Sequence, residues 1–504
     1  MYRAPTRANV RILIDGRVAH LSRWGKGLLE FAARHVGAWG KPMKFGNGKR
    51  MLHVGTGMLV VLLAMSSARA QEKHDPAEPP TTGAPKAKML PKPAGRIARG
   101  AIDEKAMAAL IRDLVSCGTR LTLSSWTDPK RGVGCGRDFA IARLNELAKA
   151  TGGKLQIVVD KFEMQNERTD NKPVHLENVY AILAGNDPKL AKTVFIVDGD
   201  VDSRPSDVMD PKADAPGADD DASGVAVAVE CARLVSKAGT NRATVIFAVL
   251  SGEEQGLLGS YRMLDWVKEQ GYTVGAMMDN DIVGADTAPG GPHRVRVFSG
   301  NGEIEDADSP SRELARAIEE IDGRDAIRMI FRVDRYGRGG DHYVFYKAGM
   351  PAVRFTEPLE DYNHQHQTPR TENGVEYGDF EKYLDFKFMG NVAWDNAEVL
   401  RVLSMAPAPP ADVRLYGAVT PDAKLSWNAE DDSDRAGFEI LWRETTETRW
   451  SVHDFVASAG EHVLKDVSTD NHFFAVRSVG KNGARSIATP SQPQVRRAPP
   501  IDKK

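Results

Sequence analysis

Three runs in the middle of the chain are apolar without interruption: TVFIV (Thr193–Val197), ATVIFAVL (Ala243–Leu250) and TVGAMM (Thr273–Met278). A strand with one wet face alternates apolar and polar positions. Continuous apolar runs of this length fit strands covered on both sides. Between the first two lies ASGVAVAVECARLV (Ala222–Val235), small and apolar throughout, which reads as a buried helix. Over residues 98–404 such strand-like and helix-like segments keep alternating, and the pattern predicts an α/β fold: a mostly parallel mixed sheet flanked by helices. Beyond Met405–Asp412 (MAPAPPAD) the pattern changes. Short alternating runs, among them AKLSWNA, GFEILWRET, WSVHDFV and HFFAVRSVGKNG, follow one another between turns, as in a small all-β sandwich over residues 411–496.

The amino-terminal part carries a different pattern. KFGNGKR (Lys44–Arg50) is basic, Met51–Met65 is apolar, and SSARA (Ser66–Ala70) ends in the small-x-small motif of a signal-peptidase site. Cleavage after Ala70 is expected, which places the mature chain outside the cytoplasm, periplasmic or extracellular. Its strongest apolar stretch, Met58–Met65, is too short for a bilayer core that needs ~20 residues, so no stable membrane span is expected. Met43 or Met51 is a plausible true start, and residues 1–42 receive no function. Residues 71–97, rich in Pro, Lys and Ala, read as a solvated linker.

With 504 residues, 41% hydrophobic and 27% charged, the chain has room for one large domain and a smaller one. A formal net charge of −2 leaves no electrostatic footprint for nucleic acid or an anionic membrane. Of the three cysteines, Cys231 falls in the apolar helix and reads as packing, whereas Cys117 and Cys135 flank one short loop. In an oxidising compartment that pair either bridges or stays as two small residues. No CxxC exists, so a thiolate zinc site is not expected.

Acidic residues cluster where the predicted strands end. Asp200 and Asp202 follow the first, Glu253 and Glu254 the second, Asp279 and Asp281 the third, and GADDDASG (Gly217–Gly224) adds three aspartates before the helix. Ligands of open α/β sheets bind beyond the carboxyl ends of the strands, so these loops are expected to share one crevice. So many carboxylates with little compensating positive charge call for a cation. Taken singly, each stretch is also what an N-cap or a solvated loop looks like, and Asp221 or Ser223 serves as a cap equally well. Asp198–Asp202 has the first ligand positions of a calcium loop, but Ser203 stands where glycine is required and Met209 where glutamate is.

In order, GDVDSR, APGADDDASG, SGEEQGLLGS, MDNDIVG and DYNHQHQTP (Asp361–Pro369) resemble the M28 family of co-catalytic zinc aminopeptidases, over about residues 98–404. The resemblance implies a zinc-exopeptidase-like fold and two divalent metal ions, Zn²⁺; an aspartate at position 200 in place of the family's histidine also suits the harder Mn²⁺ there. It implies Asp220 as the bridging carboxylate, Glu254 as a ligand of one metal and Asp281 of the other. Glu253 matches the general base. His366 matches the closing ligand, with His364 one residue away as fallback, and the Asp341-His342 pair also has a counterpart, expected as a pocket or structural element. The expected activity is hydrolysis of N-terminal peptide bonds by a metal-activated water, with peptides as substrates. The sandwich is similar to a fibronectin type III domain, expected to space or dock the enzyme, to contact a surface or wall, or to cover part of the crevice.

One position departs from the family. The family pattern is His-x-Asp, and here it is Asp200-Val201-Asp202. An imidazole ligand has become a carboxylate, and Asp202, the residue that would orient the histidine from behind, has lost its donor. Asp200 is expected to remain a ligand, since aspartate also binds zinc. Two other readings use the same residues: a peptidase-like binding protein that has lost catalysis through Asp200, and a single-zinc enzyme similar to glutaminyl cyclases.

Overall fold

The computed structural model describes residues 95–239, 241–287, 293–301 and 308–493, and the backbone of a hairpin, Arg11–Ile14 paired with Arg17–His20. The chain divides into two units after Glu78, and all described residues except the hairpin belong to the second. The expected signal peptide and most of the linker lie outside the described residues.

The larger part of that unit is built on an eight-stranded mixed sheet. Its strands are β1 (Leu155–Met164), β2 (Val174–Leu183), β3 (Thr193–Asp200), β4 (Thr244–Leu250), β5 (Thr273–Asn280), β6 (Val295–Phe298), β7 (Ile327–Ile330) and β8 (Ala352–Thr356). Their order in space is β1-β2-β4-β3-β5-β8-β6-β7. The central four, β4-β3-β5-β8, run parallel, and antiparallel pairs flank them.

The three uninterrupted apolar runs are β3, β4 and β5, and helices cover both faces. Phe195, Val197, Val245 and Phe247 pack towards α3 (Ala222–Lys237) and α7 (Phe386–Met405). The alternate residues Val194, Ile196, Ile246 and Ala248 pack towards α4 (Leu258–Glu269) and α6 (His342–Lys347). The remaining helices are α1 (Glu104–Val115), α2 (Val133–Ala150) and α5 (Pro310–Asp322). From β3 the chain passes through α3 to β4 on one side, then through α4 to β5 on the other. The connections therefore diverge at the carboxyl end of β3, which opens a crevice there. Cys117 and Cys135 form a disulfide across a sequence separation of 18, which settles the alternative left open by their spacing.

The carboxyl-terminal part consists of two four-stranded sheets with strands β11 (Ala411–Tyr416) to β18 (Gln492–Pro493), closed over Val413, Leu425, Trp427, Phe438, Phe474 and Val476. A separate short hairpin pairs β9 (Arg370–Glu372) with β10 (Val375–Tyr377). Arg242, just ahead of β4, binds Asp187 at 2.6 Å and Asp432 of the all-β part at 2.9 Å. Along α5, Glu320 pairs with Arg477, and Glu313 accepts from Trp450 Nε1 at 2.6 Å. The Arg242 contact is at the amino ends of the central strands, opposite the crevice. Among the described residues no helix is long and apolar enough to cross a membrane.

Candidate metal centre

At the mouth of β3, β4 and β5 three side chains from distant parts of the chain converge: Asp220, Glu254 and His366, whose donor atoms lie within 4.8 Å of one another. His366 Nε2 is 2.9 Å from Asp220 Oδ2 and 3.0 Å from Glu254 Oε1. Burial disfavours a charged ring, but the Glu254 and Asp220 carboxylates outweigh it and raise His366 to about 10. Burial also pushes the Asp220 carboxyl up, and the His366 ring more than reverses this, holding it well below the usual range.

Asp220 and Glu254 are held from behind. The amides of Asp219 and Asp220 donate to the carboxylate of Asp379, at 2.9 and 2.8 Å. Asp221 caps α3, accepting from Gly224 N at 2.8 Å, and its other oxygen accepts from Asp200 N at 3.0 Å. The close approach requires glycine. A Cβ on Gly224 would stand 1.8 Å from Asn280 O, and one on Gly199 would stand 2.2 Å from the Gly224 carbonyl carbon. Asp202 accepts from Gly252 N at 2.7 Å, Glu254 N at 3.1 Å and Thr122 Oγ1 at 2.7 Å. In place of a histidine, it orients the loop that carries Glu253 and Glu254. Burial, only partly offset by these hydrogen bonds, raises it to about 6.

Of the five residues expected as metal ligands, Asp200 and Asp281 lie outside the converging group. The Asp200 side chain is buried and its Oδ2 accepts no hydrogen bond. Burial and the neighbouring Asp221 and Asp202 push its carboxyl far above the usual range. Asp281 Oδ2 is 2.6 Å from Arg354 Nη1, and its Oδ1 accepts no hydrogen bond. Burial raises Asp281 to about 7 although Arg354 opposes it. Glu253 and Asp281 line the same cavity of about 570 Å³ as the three converging residues, and Asp200 does not. Burial, then Glu254 and Asp281, push the Glu253 carboxyl up as well.

The other histidines separate cleanly. His364 stacks on Tyr383 at 3.6 Å between ring centres and pairs with Asp361, while His366 meets Asp220 and Glu254. His342 is fully buried, Nδ1 against Asp279 Oδ2 at 2.9 Å and Nε2 against Val333 O at 2.8 Å, a structural arrangement.

Two buried cations escaped the reading of the sequence. Arg120 binds the carbonyls of Val201, Pro216 and Gly217 at 2.6–2.8 Å, and Arg354 binds Asp281 and Gly339 O. Both are fully buried, so the acidic cluster has more compensating charge than expected. The signal for Arg354 was present, a lone charge inside the apolar run AVRF; Asp379 has no local pattern to betray it.

Two carboxylate oxygens and one imidazole nitrogen are a donor set that zinc takes. Their fit is supported by Glu254 Oε1, which is buried and whose one close polar neighbour is the His366 ring, itself a member of the set.

The model of Peptidase family M28 matches residues 178–383, which contain all of these side chains except Arg120 and Thr122. A probable zinc metalloprotease of Leptosphaeria maculans is 38% identical over 409 residues, covering 77% of this chain and 94% of that protein. Another, of Pyricularia oryzae, is 38% identical over 431 residues, covering 80% and 85%. Among solved structures, the LapA aminopeptidase of Legionella pneumophila is similar with a TM-score of 0.46 at 18% identity, over 63% of this chain and 77% of that one. A structural likeness that distant says nothing of reaction or substrate. The identity to the two fungal proteins, sustained over most of their length, does place the chain: it belongs to peptidase family M28.

Proposed function

We propose that the chain is a zinc-dependent exopeptidase that removes amino-terminal residues from peptides outside the cytoplasm. The observation that carries the reading is the convergence of Asp220, Glu254 and His366 beside Glu253 in one cavity. When bound by those three residues, zinc supplies the Lewis acidity that lowers the pKa of a water and polarises the scissile carbonyl. Glu253, on the cavity wall next to Glu254, takes the proton from that water and hands it to the leaving amine. Neighbouring side chains point in different directions, so Glu254 serves the ion while Glu253 serves the water. Asp202 fixes both by holding the backbone amides of their loop.

The preference for N-terminal bonds rests on the motif order shared with the family's aminopeptidases, and export on the leader-like pattern ending at Ala70 together with the Cys117–Cys135 disulfide. By family likeness, Asp200 and Asp281 stand where the further ligands of a second ion would be. The all-β part, fibronectin type III-like in its sequence pattern, acts as a docking or spacing module; its contact at the amino ends of the strands argues against a cover for the crevice.

The test is hydrolysis of amino-acid 4-nitroanilides by the zinc-loaded chain, with N-acetylated anilides alongside. Cleavage that chelation abolishes and N-acetylation blocks is expected. Equal cleavage of blocked and free substrates would remove the aminopeptidase reading, and no cleavage of either would remove the enzyme.

A further inference from the structure

The resemblance implies two ions, yet the described residues gather one ligand group, and Asp200 and Asp281 form no second such group with Asp220. One oxygen of Asp281 is already engaged, while its Oδ1 accepts no hydrogen bond. On β8, Arg354 is fully buried, with Nη1 2.6 Å from Asp281 Oδ2 and 2.9 Å from Gly339 O, and Nη2 3.2 Å from Asp281 O. A guanidinium does not give up its charge in a protein, so this cation is permanent. On the other flank Asp200 offers a carboxylate where the family has an imidazole, its amide is tied to Asp221, and the buried guanidinium of Arg120 holds the carbonyl of the next residue, Val201.

We propose that this chain binds a single zinc ion, at Asp220, Glu254 and His366, and that the guanidinium of Arg354 stands in for the second ion by pairing with Asp281. The proposal rests on the zinc-peptidase reading and narrows it. A fixed positive charge 2.6 Å from Asp281 Oδ2 repels a divalent ion from that carboxylate. Arg354 does not line the cavity, so it is a positioning residue: it sets the orientation of Asp281 in the wall and neutralises it.

The test counts ions rather than turnover. The full chain is stripped with chelator, exposed to excess zinc, desalted, and assayed for zinc per folded chain. One equivalent is expected. The Asp281→Asn chain is expected to keep that equivalent and the Asp220→Asn chain to lose it. Replacing Arg354→Met together with Asp200→His, which removes the cation and restores the imidazole, is expected to raise the count towards two. Two equivalents in the unaltered chain, falling to one in Asp281→Asn, would overturn the proposal and show that the unpartnered oxygens of Asp200 and Asp281 hold an ion. No zinc in the unaltered chain would instead overturn the zinc-peptidase reading itself. Should the double variant fail to fold, the unaltered and Asp281→Asn counts decide alone.

Discussion

At the scale of single residues, the proposed function gives adjacent glutamates on one loop different duties, and the difference is measurable. Glu253→Gln keeps shape and loses only the ability to accept a proton, so kcat is expected to fall by roughly 10²–10⁴ while bound zinc stays constant. Steady-state kinetics with metal analysis on the same preparation checks this; unchanged kcat would take the base role from Glu253. The motif residues were legible because chemistry forces them into short, ordered stretches: DDD before a small-residue helix, EE after a strand, a histidine in an acidic loop. What stayed illegible was the support. Asp379 receives the amides of Asp219 and Asp220 from about 160 positions away, and nothing local marks that partnership. The motifs also gave no sign that Asp281 pairs with Arg354, because that contact depends on which strand lies beside β5, and that is β8.

At the scale of elements, uninterrupted apolar runs located β3, β4 and β5 but stopped short of the ends of β3 and β5. β3 continues through Asp198 and Asp200 because ladder pairing is made by the backbone, and those residues pair with Ala248 and Leu250 of β4 whatever their side chains. The strand thus delivers its carboxylates inside the sheet edge and not on a free loop. The start of α3 then presses on that edge, and glycine is what allows it. Gly224→Ala places a methyl group 1.8 Å from Asn280 O, so a loss of about 1–3 kcal/mol is expected, together with weaker zinc binding as the Asp220–Asp221 turn shifts. Thermal unfolding and zinc titration test both; an unchanged melting temperature would mean that the contact between α3 and β5 is looser than described. The Cys117–Cys135 bridge acts on the unfolded chain instead, and a loop of this size contributes about 3 kcal/mol in the chain-entropy view.

At the scale of the whole molecule, the α/β and all-β parts were separable in sequence because the period of the apolar pattern changes at a Pro-rich stretch. Where they touch was not, since the contact is made by single charges such as Arg242 and Arg477 reaching across. The all-β part also has its own response to acid. His453 stacks on Trp442 at 3.7 Å, and burial lowers its pKa to about 4 from 6.5. The folded state therefore favours the neutral ring, so its contribution to stability is complete above pH 6.5 and is lost as pH falls through about 4. His453→Phe keeps the stack and removes the titration. Melting curves between pH 7 and pH 4 followed by tryptophan fluorescence are expected to fall less steeply for that variant; parallel curves would contradict the assignment.

Anomalous diffraction at the zinc edge, from crystals of the zinc-loaded chain, measures the central claim most directly. The account predicts one peak within coordination distance of Asp220, Glu254 and His366, about 2.0–2.2 Å from their donor atoms. No peak there, or a peak held by other side chains, would contradict it.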